Sequence, residues 1–516
     1  MITVKSIAAV LPSNKIQFVL EFNYLRVKTF NFFNMKLLVS IHIASILLLF
    51  LACQSDPTEL SDNVKKVQFA DLDERMVIRP YMENLRYWQY SGEPVLLLGA
   101  TNNDNLFQSA DMKEQLDLLS GIGGNFIRNT MSSRDEGDIW PFYKQADGLY
   151  DLEKWNDQYW KQFEELLKLT AERNIIVQIE VWDRFDFSQD HWQLNPFNPR
   201  NNINYSVSTG GMAEEYPHHP GGDLQPFFHS LEGMPRYKPE LGKIRAYQEK
   251  FVEKMLSYSL NYGHVLYCIN NETNTPVEWG QYWIDFIEEE AGTNLVYVTD
   301  MFDRFLEPQS CESCQEALTN PGEYAFVDAS QLNWNNGQEH WDNLRWVMEQ
   351  REKVSLRPVN SVKVYGKAGS PGSNGGVLRF CRDVLGGFAA VRFHRPTAGN
   401  GLNEAAIAAI KAVRKIETVE HFWNLEPQQG LLGSREPNEA YLTASDGETY
   451  VLLFPSGGAV ELDLSQHAKP FYGRWISIAT GEWGSEFEFQ GGGSTQLTSP
   501  DSEGWFVVVS ERDSFE

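Results

Sequence analysis

Eight short apolar runs alternate with helical patterns between about residues 67 and 425, and that alternation leaves few folds open. The runs are PVLLLGAT (94–101), NFIRNT (125–130), IIVQIEVWD (175–183), VLYCINNET (265–273), NLVYVTD (294–300), YAFVDAS (324–330), RPVNSVKVY (357–365) and FAAVRFH (388–394). Between them lie amphipathic stretches such as 155–174, where Tyr159, Phe163, Leu166, Leu167 and Leu169 recur near a 3.6-residue period. Near-continuous apolar runs are the mark of strands buried on both faces, and strict β–α alternation implies parallel pairing. Eight such units predict an α/β fold, a (β/α)8 barrel, over 67–425. The longest connection, roughly 184–240, is rich in Asn, Pro, Gly, His and aromatics. A loop of that length is usually functional. After about 430 the pattern changes to short alternating segments split by Asp-Gly, Gly-Gly and Thr-Gly turns, which predicts a small all-β sandwich over 430–516.

The beginning of the chain reads as targeting. Residues 37–52, LLVSIHIASILLLFLA, are too short for a comfortable membrane span and right for the apolar part of an export signal. Lys36 supplies the positive flank, and Met35 before it is the expected start of translation. The run ends in Ala52-Cys53-Gln54-Ser55, which resembles the bacterial lipobox, with Phe50 where Leu is usual. That resemblance implies lipidation of Cys53, a leader over 1–52, a polar tether over 53–66, and a lipid-anchored protein of the bacterial outer membrane, facing the periplasm or the cell surface. A single-pass anchor is the alternative.

Composition excludes other classes. Asp+Glu total 70 against 44 Lys+Arg, a net charge of −26, so the basic footprint that nucleic-acid binding needs is missing. The pattern contains no GxxxxGK[ST], strand-linked GxGxxG, HExxH or GxSxG. A single CxxC, Cys311–Cys314, offers too few ligands for a thiolate zinc site, and a local disulfide or two free thiols remain open. His218-His219, in a Pro/Gly-rich loop, reads as solvent-facing. No metal or cofactor is expected, and nothing speaks to oligomeric state.

Chemistry in such a barrel sits at the C-terminal strand ends. There the runs place Asn103 and Asp104, Arg128, Glu180, Trp182 and Asp183, Asn271 and Glu272, Asp300, Asp328 and Gln331, Lys363 and Tyr365, and Arg392, His394 and Arg395. Amides and carboxylates bond hydroxyls, and aromatics stack on the apolar faces of sugars. A carbohydrate is therefore the expected partner, with Trp182, Phe185, Phe187 and Trp192 as the stacking platform. Asn103, Arg128, Trp182, Asn271, Lys363, Tyr365, Arg392 and His394 form the expected substrate-binding set. The basic residues around Arg392 and His394 suggest a pocket for a uronic or sulfated sugar, because Arg forms bidentate bonds with such anions. Local pairing with surplus Asp and Glu is the alternative.

INNETN at 269–274 resembles the Asn-Glu at the end of strand 4 in retaining glycoside hydrolases of the clan A barrel type. The resemblance implies that Glu272 is the general acid/base, with Asn271 on the sugar 2-hydroxyl and Arg128 beside the nucleophile. Burial of Glu272 is expected to raise its pKa, as a proton donor requires. The opening GEPVLLLGATNNDNLF and the β tail together resemble an apiosidase-like barrel followed by a sandwich of the type named for collagen binding, although nothing identifies collagen as its ligand. Strand 7 departs from the clan pattern: RPVNSVKVYG (357–366) has no acid, and Lys363 stands where one is expected. Two carboxyl groups are needed, about 5 Å apart for retention and wider for inversion. Asp183 and Asp300 are the favoured second acids, with Glu180 and Asp328 behind them. The sequence thus predicts polysaccharide degradation by a glycosidase. A glycan-binding surface lipoprotein on a degenerate barrel is the alternative, and Tyr365, Lys363 and His394 would also suit β-elimination on a uronic acid.

Overall fold

The computed structural model describes residues 74–216, 224–303, 315–366, 372–512 and 515, and the side chains of 189, 333, 334 and 372–374 are not described. The leader, Cys53, the tether, His218-His219 and the Cys311–Cys314 pair lie outside the described residues.

All eight apolar runs contain strands of one parallel sheet: β1 (Leu97–Ala100), β2 (Phe126–Thr130), β3 (Ile176–Asp183), β4 (Val265–Asn271), β5 (Val298–Thr299), β6 (Val327–Asp328), β7 (Val359–Val364) and β8 (Ala390–Phe393). The ladder runs β5-β4-β3-β2-β1-β8-β7-β6. The remaining gap is bridged where Ala325 N donates to Val298 O at 2.9 Å and Thr299 Oγ1 donates to Phe326 O at 2.6 Å. The chain is therefore a (β/α)8 barrel, and the outer layer includes α1 (Met112–Gly121), α2 (Asp157–Ala171), α3 (Leu241–Ser259), α4 (Val277–Ala291), α5 (Gly337–Val354), α6 (Gly372–Leu385) and α7 (Glu404–Glu417). Helix α2 shows the local logic. Asn156 caps its first turn by accepting from Gln158 N, and the predicted apolar stripe is buried against the barrel. At Gly99 the β1 backbone approaches β2 so closely that a Cβ would collide with the Phe126 carbonyl.

A hairpin sheet over 79–95 precedes β1, and its tight turn at Ser91-Gly92 takes both residues into the left-handed region, φ 56° and 84°. It sends Trp88 into the barrel, where the indole donates to Asn360 Oδ1 at 2.9 Å. Asn360 in turn donates to Gln178 Oε1 at 3.0 Å, and Gln178 to Asp328 Oδ2 at 2.8 Å. This polar tier, buried and bonded side chain to side chain, forms the floor on which the mouth rests.

The sandwich follows. A six-stranded antiparallel sheet that begins at Glu426–Pro427 packs on a three-stranded one. In its strand Thr449–Phe454, alternate residues serve two cores. Tyr450, Leu452 and Phe454 fill the sandwich, while Val451 and Leu453 join the core of the barrel. Both faces of that strand are therefore buried, and the sandwich braces the barrel. Trp341 of α5 packs on Tyr441 with ring centroids 4.7 Å apart.

Candidate active site

Above the floor, the barrel interior carries two further polar clusters. The first belongs to β1, β2, β3 and β8. Arg128 donates through Nε to Glu180 Oε1 at 2.6 Å and ion-pairs through Nη1 with Asp104 Oδ1 at 2.6 Å. Arg392 Nη2 at 3.6 Å, His394 Nδ1 at 3.5 Å and Arg395 Nε at 3.2 Å also face Asp104. Burial works to raise the Asp104 carboxyl, but Arg128 and its cationic neighbours hold it well below the usual carboxylate range. Glu180 moves the other way, raised by burial despite Arg128.

The second cluster belongs to β3, β4 and β7. Arg134, from the loop after β2, bonds Asp183 Oδ2. Asn271 Nδ2 donates to the same oxygen at 2.8 Å, and Asn271 Oδ1 accepts from Lys363 Nζ. Lys363 then donates to Glu272 Oε1 at 2.6 Å, and Tyr365 OH and Gln331 Nε2 donate to that same oxygen, each at 2.9 Å. A ladder irregularity between Ser361 and Val364 lets both Asn360 and Lys363 point inward. Bulges near functional sites often re-aim side chains in this way.

Glu272 is the focus of this second cluster. Its φ is 61°, in the left-handed region that a Glu seldom adopts. Such strain persists where surrounding contacts over-determine it, and here three donors grip one carboxylate oxygen. The side chain remains 12% exposed at the mouth. Burial alone would raise its pKa. Lys363, then Arg184 and Tyr365, outweigh burial and hold the carboxyl well below the ordinary glutamate range. This corrects the expectation of a raised pKa: Glu272 stands ionised, the state of a nucleophile or base. The Tyr365 phenol, raised well above its usual value by burial and by Glu272, stays protonated as a donor.

The other expected residues divide. Asn103 lies at the rim with its amide oxygen taken by Gln115 Nε2 at 2.9 Å. Asp300 does not face the mouth: it is buried, accepts from Asn270 Nδ2 at 2.9 Å and from Met301 N at 2.8 Å, and brackets β4 to β5. Asp328 lies in the floor tier. Asp183 is at the mouth, buried, with its pKa lowered because Arg134 and Asn271 overcome the effect of burial. Trp182 is no sugar platform. It packs among Phe227, Phe251 and Trp283, with centroids 5.3 to 5.4 Å away. Phe187 and Trp192 are likewise buried, Phe187 stacking on Phe227 at 3.8 Å. Of the four expected platform rings only Phe185 stays half-buried, with Arg134 and Arg184 over its ring at 5.5 and 5.1 Å. Arg392 and His394 do not form an anion pocket. Arg392 is fully buried and bonds Val362 O at 2.9 Å and Thr101 Oγ1, and burial pushes His394 well below its usual pKa, so it is neutral.

The sequence reading did not assign roles to Arg134, Arg184, Asp186 and Asp303. Arg184 Nη2 stands 3.7 Å from Glu272 Oε2 and 2.6 Å from Asp303 Oδ2. Arg184 directly follows the β3 run and could have been found by reading one residue further. Asp303 lies three residues beyond the fifth run. No group of His, Cys, Asp and Glu among the described residues is arranged to hold a metal ion.

No protein-family model matches the chain. No curated protein matches it either. Solved structures do. A glycoside hydrolase family 5 protein from Bacteroides vulgatus superposes with a TM-score of 0.57 at 12% identity, covering 86% of this chain and 95% of that one. A second glycoside hydrolase superposes with a TM-score of 0.53 at 12% identity, covering 85% of this chain and 97% of that one. At such identity the likeness is one of fold, and it extends over most of both chains: the protein has the barrel architecture of these glycoside hydrolases.

Proposed function

We propose that the protein is a glycosidase that cleaves a poly- or oligosaccharide by carboxylate chemistry centred on Glu272. The observation that carries this reading is the setting of Glu272: a strained strand tip, an ionised carboxylate, and partial exposure at the mouth of the barrel. Around it, Asn271, Gln331 and Tyr365 offer amide and phenol groups suited to sugar hydroxyls. The cations of the mouth are already paired with carboxylates, so the reading favours a neutral sugar over a uronic or sulfated one. The protonated Tyr365 phenol gives β-elimination little support.

The test is to incubate the full chain and its Glu272→Gln variant with neutral, uronic and sulfated oligosaccharides and to measure released sugar. The variant should lose on the order of 1,000-fold in rate. A variant as active as the parent removes Glu272 from the mechanism. Binding without release by the parent favours a second reading, a glycan-binding protein on a degenerate barrel. One observation supports that reading: Lys363, on the strand where a second acid is expected, is ion-paired to Glu272. The run 37–52 and Cys53 support export with a lipid anchor, and intact mass of the mature form tests it.

A further inference from the structure

The missing strand-7 acid leaves Glu272 needing a partner, and the tip of the neighbouring strand supplies one. Strands β4 and β5 stay paired beyond the barrel rim. Thr273 N donates to Met301 O at 2.8 Å, Asp303 N donates to Thr273 O at 2.9 Å, and Thr273 bridges to Phe302. This carries Asp303 alongside Asn274, whose Nδ2 donates to Asp303 Oδ2 at 2.9 Å. One nitrogen, Arg184 Nη2, lies 2.6 Å from Asp303 Oδ2 and 3.7 Å from Glu272 Oε2. Because both distances share that atom, the two oxygens can be no farther apart than the two lengths laid end to end. That limit admits the roughly 5–5.5 Å separation of retaining pairs.

Exposure separates Asp303 from its competitors. Its side chain is 29% exposed, against 0% for Asp183, and Asp300 is closed off by Asn270 and Met301. Both described donors to the Asp303 carboxylate fall on Oδ2, and Oδ1 accepts from neither.

We propose that Asp303, at the tip of strand 5, is the second catalytic carboxylate, with Glu272 as nucleophile and Arg184 as the positioning residue between them. This rests on the glycosidase reading above. In the first step a Glu272 oxygen bonds the anomeric carbon as the bond from that carbon to the leaving oxygen breaks. The bonding pair goes to the leaving oxygen, which takes the proton of the Asp303 carboxyl group. In the second step Asp303 takes a proton from water, the water oxygen bonds the anomeric carbon, and Glu272 departs with its electron pair. One water is consumed, both carboxyl groups return to their starting states, and the configuration is retained.

The test uses the full chain with α- and β-linked aryl glycosides of neutral hexoses and pentoses, in paired sets with poor and good leaving groups. In kcat/KM, which reports the first step, Asp303→Ala and Asp303→Asn should lose at least about 100-fold on poor leaving groups and little on good ones, which need no proton. Their kcat on the good ones falls because Asp303 no longer takes the proton from water. Azide should restore turnover of Asp303→Ala and yield a glycosyl azide of retained configuration. A purely structural role would not produce that leaving-group dependence. Thermal unfolding of both variants at the parent temperature excludes a folding defect. If the parent cleaves and Glu272→Ala does not, while both Asp303 variants keep full rate on poor leaving groups, Asp303 is overturned and the glycosidase reading stands. An inverted product also overturns the assignment. If the parent cleaves no probe, both readings fall.

Discussion

The two sides of the barrel mouth hold similar residues and use them differently. Around β1, β2 and β8, one carboxylate, Asp104, is enclosed by Arg128, Arg392, His394 and Arg395. Around β3, β4 and β7, no carboxylate is enclosed by so many. Arg134 faces Asp183 and Asp186, Lys363 and Arg184 face Glu272, and Arg184 also faces Asp303. Asp104 is sealed, whereas Glu272 and Asp303 keep exposure. A concentration of charge is thus a poor guide to a ligand. Partial exposure together with backbone strain marks the working side, and buried pairing marks the framework.

The largest expected effect comes from breaking the framework side. Asp104→Asn leaves Arg128 and Arg392 buried with one fewer counter-charge. Removing one member of a buried pair costs about 3–5 kcal/mol. Denaturant unfolding should show that loss, and a change below about 1 kcal/mol would mean that the cluster is hydrated rather than sealed. On the working side, Lys363→Met removes the first cation holding Glu272 down. Burial then dominates, so the acid limb of the rate profile should move up by roughly 1–2 pH units. An acid limb that stays in place would show that Arg184 and Tyr365 suffice and that Lys363 is not the group setting the charge of Glu272.

How much of this was readable depended on which interactions a linear pattern records. Buried parallel strands are apolar over much of their length, so all eight runs announced themselves, even β5 and β6 with two ladder residues each. The hairpin that sends Trp88 into the barrel was missed, although RYWQYSGEPV carries alternation and a Ser-Gly turn. At the mouth, the chain order correctly brought Asn271, Glu272, Lys363 and Tyr365 together, because all four lie at or next to strand ends. It misjudged Trp182, since Glu180 faces Arg128 inside the barrel while Asp183, at odd spacing, also faces the mouth. That slip turns Trp182 toward α3 and α4, and alternation alone cannot reveal it. The charge states were the least legible. Burial raises a carboxyl and a buried lysine lowers it, and the distance from Lys363 to Glu272 decides between them.

The smallest predicted effect tests the comparison through pH. Asp104 and Asp186 are both buried carboxylates, yet they are shifted in opposite directions. Asp104 is held low by its cations, so its contribution to stability is present above the unfolded aspartate range and is lost as pH falls through its folded value. Asp186 is pushed up to about 8, by burial first and then by Asp183, against the pull of Arg134. A folded pKa raised above the unfolded one gives stability that is complete below the unfolded value and is lost as pH rises through about 8. The framework side should therefore weaken in acid, and the working side should weaken as pH rises from the aspartate range to about 8. Asp186→Asn retains an amide oxygen to accept from Ser133 N, now 3.2 Å from Asp186 Oδ2, and it cannot ionise. Relative to the parent, its melting temperature should rise progressively as pH goes from about 4 to about 8 and hold that gain above, which scanning calorimetry across that range will read. If parent and variant change in parallel from about pH 4 to about pH 8, Asp186 is not the group responsible, and the acid surplus on the working side is relieved by solvent rather than held in the fold.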